Sequence, residues 1–271
     1  VTKVLVKETP IHHASGELRW LDGASSADLS PAGMRPVDRP LGIDLTQRPT
    51  DLQWLHKPGR TAFWRRPVAD IVTGEASEAQ RERPNLPLFR VAGTVTDPTG
   101  AWHPRPFDRQ LGDGASIGVV VYASPQATRF GGGGGLFGMV RFDGGEDASL
   151  AGRPAAWALV DCSVTLSAQD IRLFRAQCDG KGDFRLSLWR LPPLPQGSAS
   201  YPAEIAIRAL ASTSADQPVD PETLAGALVA PLSAGAFAAN IALAVVPGAI
   251  RRVESAGGRT LAIRPAPVPD Q

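Results

Sequence analysis

The chain has 271 residues, a formal net charge of +1, 43% hydrophobic and 20% charged residues, 28 Gly, 25 Pro and 2 Cys. That apolar content can fill a core, which excludes a wholly disordered chain, and the near-zero charge excludes a broad electrostatic footprint for nucleic acid. Two cysteines exclude a disulfide scaffold and a zinc finger, and the wealth of Gly and Pro favours turn-rich β structure over helix bundles.

Val1–Glu8 shows no apolar stretch of the kind a secretory signal carries, so cytoplasmic synthesis without a signal peptide is expected, with a virion or secreted particle as a destination. Residues 1–84 read as a Pro- and Trp-rich β module or arm. Pro31, Pro36, Pro40, Pro49, Pro58 and Pro67 recur too often for a long helix, and short strands are predicted at Lys3–Lys7, Gly16–Leu21 and Thr61–Arg65. The region has few long apolar runs. It is expected, with the tail after Arg264, to order against a neighbouring subunit by adding a strand to its sheet. Gly74–Pro84 is polar and mixed in charge and reads as an exposed linker.

Residues 85–213 carry the clearest strand pattern. Leu88–Thr96 is a strand closed by the turn Asp97–Gly100, and Ile117–Tyr122 is a short apolar strand. Gly131 to Gly135 read as a flexible loop, because neither a helix start nor a Lys-Ser/Thr pair follows, as a phosphate cradle requires. In Ala156–Leu166, Ala158, Val160, Cys162 and Val164 share one face, while Trp157, Asp161 and Ser163 share the other. Cys178 falls on a face with Phe174 and Ala176. The turn Asp179–Gly182 leads into Asp183–Leu188, and Tyr201–Leu210 alternates again. The expectation is one continuous antiparallel sandwich over residues 138–210, with Cys162 and Cys178 buried as thiols and free of metal.

Residues 214–271 read as a helix-plus-strands extension. Asp220-Pro221-Glu222 has an N-cap, a Pro at the first helical position and an acid in the first turn, predicting a short helix near 221–229. Ala236–Val246 places Phe237, Ala239, Ile241, Leu243 and Val245 on one strand face. That periodicity, with Pro231 and Pro247, explains the uncharged run Thr223–Ile250 without a membrane span. Arg259–Arg264 is a final strand. The fold class is therefore all-β: tandem or elaborated antiparallel β-sandwich modules with one short helix.

Chemistry-bearing residues are sparse. His12, His13, His56 and His103 stand at no metal-ligand spacing, and His103 reads as an exposed loop residue. No Gly-x-Ser-x-Gly elbow occurs, and Asp143, Glu146 and Asp147 read as a solvated turn. No catalytic, cofactor or metal residues are expected, and the chain reads as a non-enzyme. Trp and Arg are enriched at interface hot spots, so Trp20, Trp54, Trp64, Arg65, Arg66, Trp157 and Trp189 are the interface candidates. Trp157 and Trp189 are expected on outward faces, and the same tryptophans would serve a carbohydrate platform.

The run Phe89-Arg90-Val91-Ala92-Gly93-Thr94-Val95-Thr96-Asp97-Pro98-Thr99-Gly100 resembles the opening strand and turn of carboxypeptidase-regulatory-like domains, small transthyretin-like β-sandwiches. Gly138–Asp143, Gly152–Ala156, the hairpin Asp179–Leu186, and Leu191–Gly197 before Tyr201 are similar to elements of that family. The likeness spans roughly residues 88–212, with a long insertion at about 101–135. The resemblance implies a non-catalytic module, of the kind appended to enzymes, transporters, surface proteins and phage-tail-like assemblies. The expected role is a structural or adaptor subunit of a larger assembly, such as a phage-tail-like or contractile particle, with other protein subunits as partners. The alternative is a carbohydrate- or cell-surface-binding module.

Overall fold

The computed structural model describes residues 16–65 and 88–265, apart from 27, 29, 113, 146 and 234. The strand expected at Lys3–Lys7, the linker Gly74–Pro84, His12, His13 and Arg66 lie outside the described residues. What is described is almost entirely strand and turn, and none of its helices is long and apolar enough to cross a membrane.

Two β units follow one another. In the first, β1 (Gly16–Asp22), β3 (Leu52–Lys57), β4 (Arg60–Arg65) and β7 (Ala115–Val121) form a four-stranded sheet in the order β3-β4-β1-β7. Facing it are β2 (Gly42–Gln47), β5 (Phe89–Thr96) and β6 (Arg105–Leu111), in the order β2-β5-β6. Alternation decides what lies between the sheets. Leu18 and Trp20 of β1, Phe63 of β4 and Val119 and Val121 of β7 meet Phe89, Val91, Val95, Phe107 and Leu111 in one buried cluster. Trp20 anchors this core by edge-on contact with Phe107, and its indole Nε1 donates to Thr61 Oγ1 at 3.1 Å.

This packing corrects the expected N-terminal arm. Leu18, Trp20 and Phe63 find their apolar partners within the chain, and β1 pairs in parallel with β7 over its whole length, Gly16 opposite Ala115 through Asp22 opposite Val121. The boundary expected at 84/85 does not follow this packing either, because β5 pairs with β2 across it.

The second unit is built from β8 (Gly135–Phe142), β9 (Leu159–Ser167), β10 (Asp170–Gln177), β11 (Asp183–Ser187), β12 (Tyr201–Ala209), β13 (Ala225–Val229), β14 (Asn240–Val245), β15 (Ile250–Arg252) and β16 (Leu261–Pro265). They form one nine-stranded sheet in the order β10-β9-β12-β13-β16-β8-β11, with β14 paired to β12 and β15 to β8. The sheet curls until β10 lies beside β11, enclosing Val140, Val160, Cys162, Phe174, Phe184, Ile205 and Ile263.

The expected sandwich over 138–210 is thus incomplete without the C-terminal segment. β15 and β16 pair with β8 in parallel, and Val229, Ile241, Leu243, Val245, Leu261 and Ile263 belong to the same core. The expected helix is one 3-10 turn, Pro221–Thr223, capped by the Asp220 side chain as its sequence predicts. A single turn bounded by Gly226 and Pro231 cannot offset helix nucleation, and Ala227 and Val229 instead take core positions in β13.

The glycine run also has a packing role in place of the expected free loop. Gly134 has φ +77°, and a Cβ there would sit 2.1 Å from the carbonyl oxygen of Ala249. A Cβ on Gly133 would fall 1.8 Å from Leu188 O. The bare backbone lets β8 start in the slot between the Leu188 and Ala249 segments, where Gly135 N donates to Ala249 O.

Candidate functional site at the junction of the two units

The units meet where β6, β7 and the Trp102–Ser124 region of the first face the Ala155–Leu159, Gln177–Asp179 and Asp220–Leu224 segments of the second. Tyr122, Leu159 and Leu224 form a small apolar cluster there. Beside it, Arg105 is 2% exposed. Its Nη2 donates to Asp220 Oδ1 and Glu222 Oε1, both at 2.8 Å, and its Nη1 donates to the carbonyl of Val120. Glu222 also accepts from Arg109 Nη2 at 3.2 Å. These guanidinium bonds hold the carboxyl of Glu222 below the usual carboxylate range against the opposing effect of burial.

His103 corrects the expectation of an exposed loop. It is buried, packed edge-on against Trp157 with ring centroids 5.5 Å apart, and its Nε2 lies 3.3 Å from Gln177 O. Burial lowers its pKa to about 4, partly opposed by the Gln177 carbonyl and Asp179. Pro104 beside it suggests a loop, but the loop is covered by the second unit. Trp157, expected on an outward face, is buried as well. It holds φ 62°, which is costly for a bulky residue, and is fixed by Nε1 donating to Ser214 O at 2.9 Å.

The other candidates are dispersed. Trp20 is core of the first unit. Trp54 packs against that core and lies under Arg48, whose guanidinium carbon is 4.6 Å from its ring centroid. Trp64 Nε1 donates to Gln53 Oε1 at 2.9 Å, and Arg65 pairs with Asp51. Trp189 is 41% exposed, with the guanidinium groups of Arg35 and Arg190 5.4 and 5.6 Å from its ring centroid. The tryptophans therefore do not line up as a shared aromatic platform.

Trp189 instead borders a cleft of about 260 Å³ between the units, lined also by Asp22, Tyr122, Arg129, Arg175, Arg185 and Ser187. The groups are drawn from β1, β10, β11 and two connecting loops, so no local motif announces the cleft. Burial raises the carboxyl of Asp22, opposed by the Ala24 N–H and by Arg190 and Arg35. Tyr122 is likewise raised by burial.

Cys162 and Cys178 are free and buried, as their strand faces predict. Burial pushes the Cys162 thiol up to about 12 and Cys178 well above its ordinary value, so both are protonated at neutral pH. A water-soluble thiol reagent should therefore label neither cysteine in the native chain and both in denaturant; rapid native labelling of either would contradict this packing. Asp143 pairs with Arg264, and Asp147 caps the turn Ala148–Leu150. Among the described residues, no group of three or more His, Cys, Asp or Glu stands close enough to hold a metal ion.

Comparison with protein families, with curated proteins and with solved structures finds no match to this chain.

Proposed function

We propose that the chain is a non-enzymatic structural or adaptor subunit of a larger protein assembly. The observation that carries this reading is the character of the sheet margins. Leu55 on β3, which ends its sheet's pairing order, is 50% exposed, and Ile171, near the start of β10 beside β11, is 57% exposed. Ile250 on β15, a strand paired with β8 alone among the described residues, is also exposed. Proteins that work alone blunt such edges with charge, proline or a covering segment, and an aliphatic margin favours pairing with another chain.

Two further features support it. The strongly shifted groups among the described residues, His103, Cys162 and Cys178, are all buried packing groups. The resemblance to carboxypeptidase-regulatory-like domains favours a phage-tail-like or contractile particle as the setting, with other subunits as partners. The carbohydrate alternative draws less from the aromatics, since Trp20 and Trp157 are buried and Trp54 is covered by Arg48.

The test is a double substitution, Leu55→Asp with Ile171→Asp, in cells that make the chain natively. Both side chains are exposed, so the purified variant should keep the wild-type circular dichroism spectrum and melting temperature. It should fail to enter high-mass particles. Normal incorporation would remove the sheet margins as the contact.

A further inference from the structure

We propose that the cleft bordered by Trp189 is a binding site for an anionic saccharide, a single sugar ring carrying a carboxylate or sulfate. The site is separate from the sheet margins and stands whether or not the chain assembles.

The groups in the cleft divide into those already engaged and those free. Arg175 is engaged: it pairs with Asp161 across the β9–β10 ladder and contacts Tyr122. Arg129 and Arg185 make no ion pair among the described residues, and Arg185 only lies over the Phe130 ring at 5.8 Å. Ser187 Oγ is buried and has no hydrogen-bond partner. A buried hydroxyl without a partner costs free energy that a ligand can recover. Behind Trp189, Arg190 donates through Nη2 to Leu173 O at 2.8 Å, while its buried Nε and Nη1 have no partner. Burial, Arg172 and Arg35 disfavour Arg190 as a cation, and Asp22 and Asp28 favour it.

An anion answers the free guanidinium groups, because arginine forks bind planar or tetrahedral oxyanions through paired N–H donors. The remaining groups ask for more than a bare anion. Asp22 and Ser187 are suited to ligand hydroxyls, the former as acceptor. Trp189 supplies an apolar edge at the rim. The volume lies just below the usual range of ligand pockets, which suits one ring with its substituents better than a nucleotide.

The experiment is an amide and indole NMR titration of the full chain with sodium glucuronate, glucose 6-sulfate, glucose, sodium sulfate, sodium acetate and adenosine monophosphate. At least one of the two acidic sugars should bind saturably, shifting the Trp189 indole and the amides of Gly131 and Ser187. It should bind at least tenfold more tightly than glucose, sulfate or acetate. Arg129→Ala and Arg185→Ala should each weaken it about tenfold, the size of one charge-assisted hydrogen bond. Both side chains are exposed, so an unchanged melting temperature shows that the variants fold. The proposal is overturned if neither acidic sugar binds, if glucose or the bare anions bind equally well, if adenosine monophosphate binds more tightly, or if the two substitutions leave affinity unchanged.

Discussion

Replacing Arg105 by methionine should lower the stability of the chain by about 2–3 kcal/mol, one of the two largest single-residue effects expected. The side chain lies in β6 of the first unit, and both its carboxylate partners, Asp220 and Glu222, belong to the second. Removing one member of a buried pair costs about 3–5 kcal/mol when the other is left without solvent. Here Glu222 is largely exposed and Asp220 partly so, and both can rehydrate, which puts the effect at or below the lower end. Methionine keeps most of the volume, so the loss reports on the ionic clamp and not on a cavity. Arg90→Met is the control. Its pair with Asp108 lies on the surface, where water and salt screen such pairs and they contribute little. Urea unfolding followed by circular dichroism measures both variants, and equal effects would show that Arg105 does not join the units.

His103 should make the junction sensitive to acid. Its folded pKa of about 4 lies below the ordinary value of 6.5, so between these values the unfolded chain binds a proton that the folded chain excludes. Stability is therefore intact above the ordinary value, falls as pH drops through this window, and the loss is complete below about 4. The full effect is on the order of 3 kcal/mol. Asp22 and Asp183 are raised by burial and act in the opposite direction at low pH, so the histidine component is read by difference. His103→Gln should flatten the dependence of unfolding free energy on pH between 4 and 6.5. His56→Gln should retain most of it, since His56 is only partly buried and its downward shift has burial as its sole cause. A His103→Gln variant with the wild-type slope would contradict the burial of a neutral imidazole.

The second unit was more legible in the sequence than the first. In β12 the buried and exposed side chains alternate throughout, and in β9 and β10 they alternate over Val160–Val164 and Phe174–Ala176, so Val160, Cys162, Phe174, Ile205 and Ile207 could be placed in a core from period. In the first unit, Pro40 and Pro49 flank β2, where Gly42–Gln47 offers only Ile43 and Leu45 as large apolar residues, too few to mark a strand by period. β6 was hidden by its charges, because Arg105 faces inward at a position that polarity assigns to solvent. The parallel pairing of β1 with β7 joins segments far apart in the chain and leaves no local trace.

The site shows the same division. Trp20 reads from composition as an interface candidate, although the near alternation of Gly16–Leu21 puts it on the same strand face as Leu18, and both are core. His103 and Trp157 gave no such sign, because each is buried by a segment of the other unit. The cleft was not legible at all: Asp22, Arg129, Arg185 and Trp189 come together only when the two units dock.

The most direct test of the assembly role is sedimentation of a gently prepared lysate from cells that express the chain natively, with the chain followed by antibody. An assembly subunit sediments with particles far heavier than a single chain, at fixed stoichiometry to the same accompanying proteins across repeated gradients. Recovery of the chain solely as a free monomer, under conditions that preserve such particles, would contradict the role.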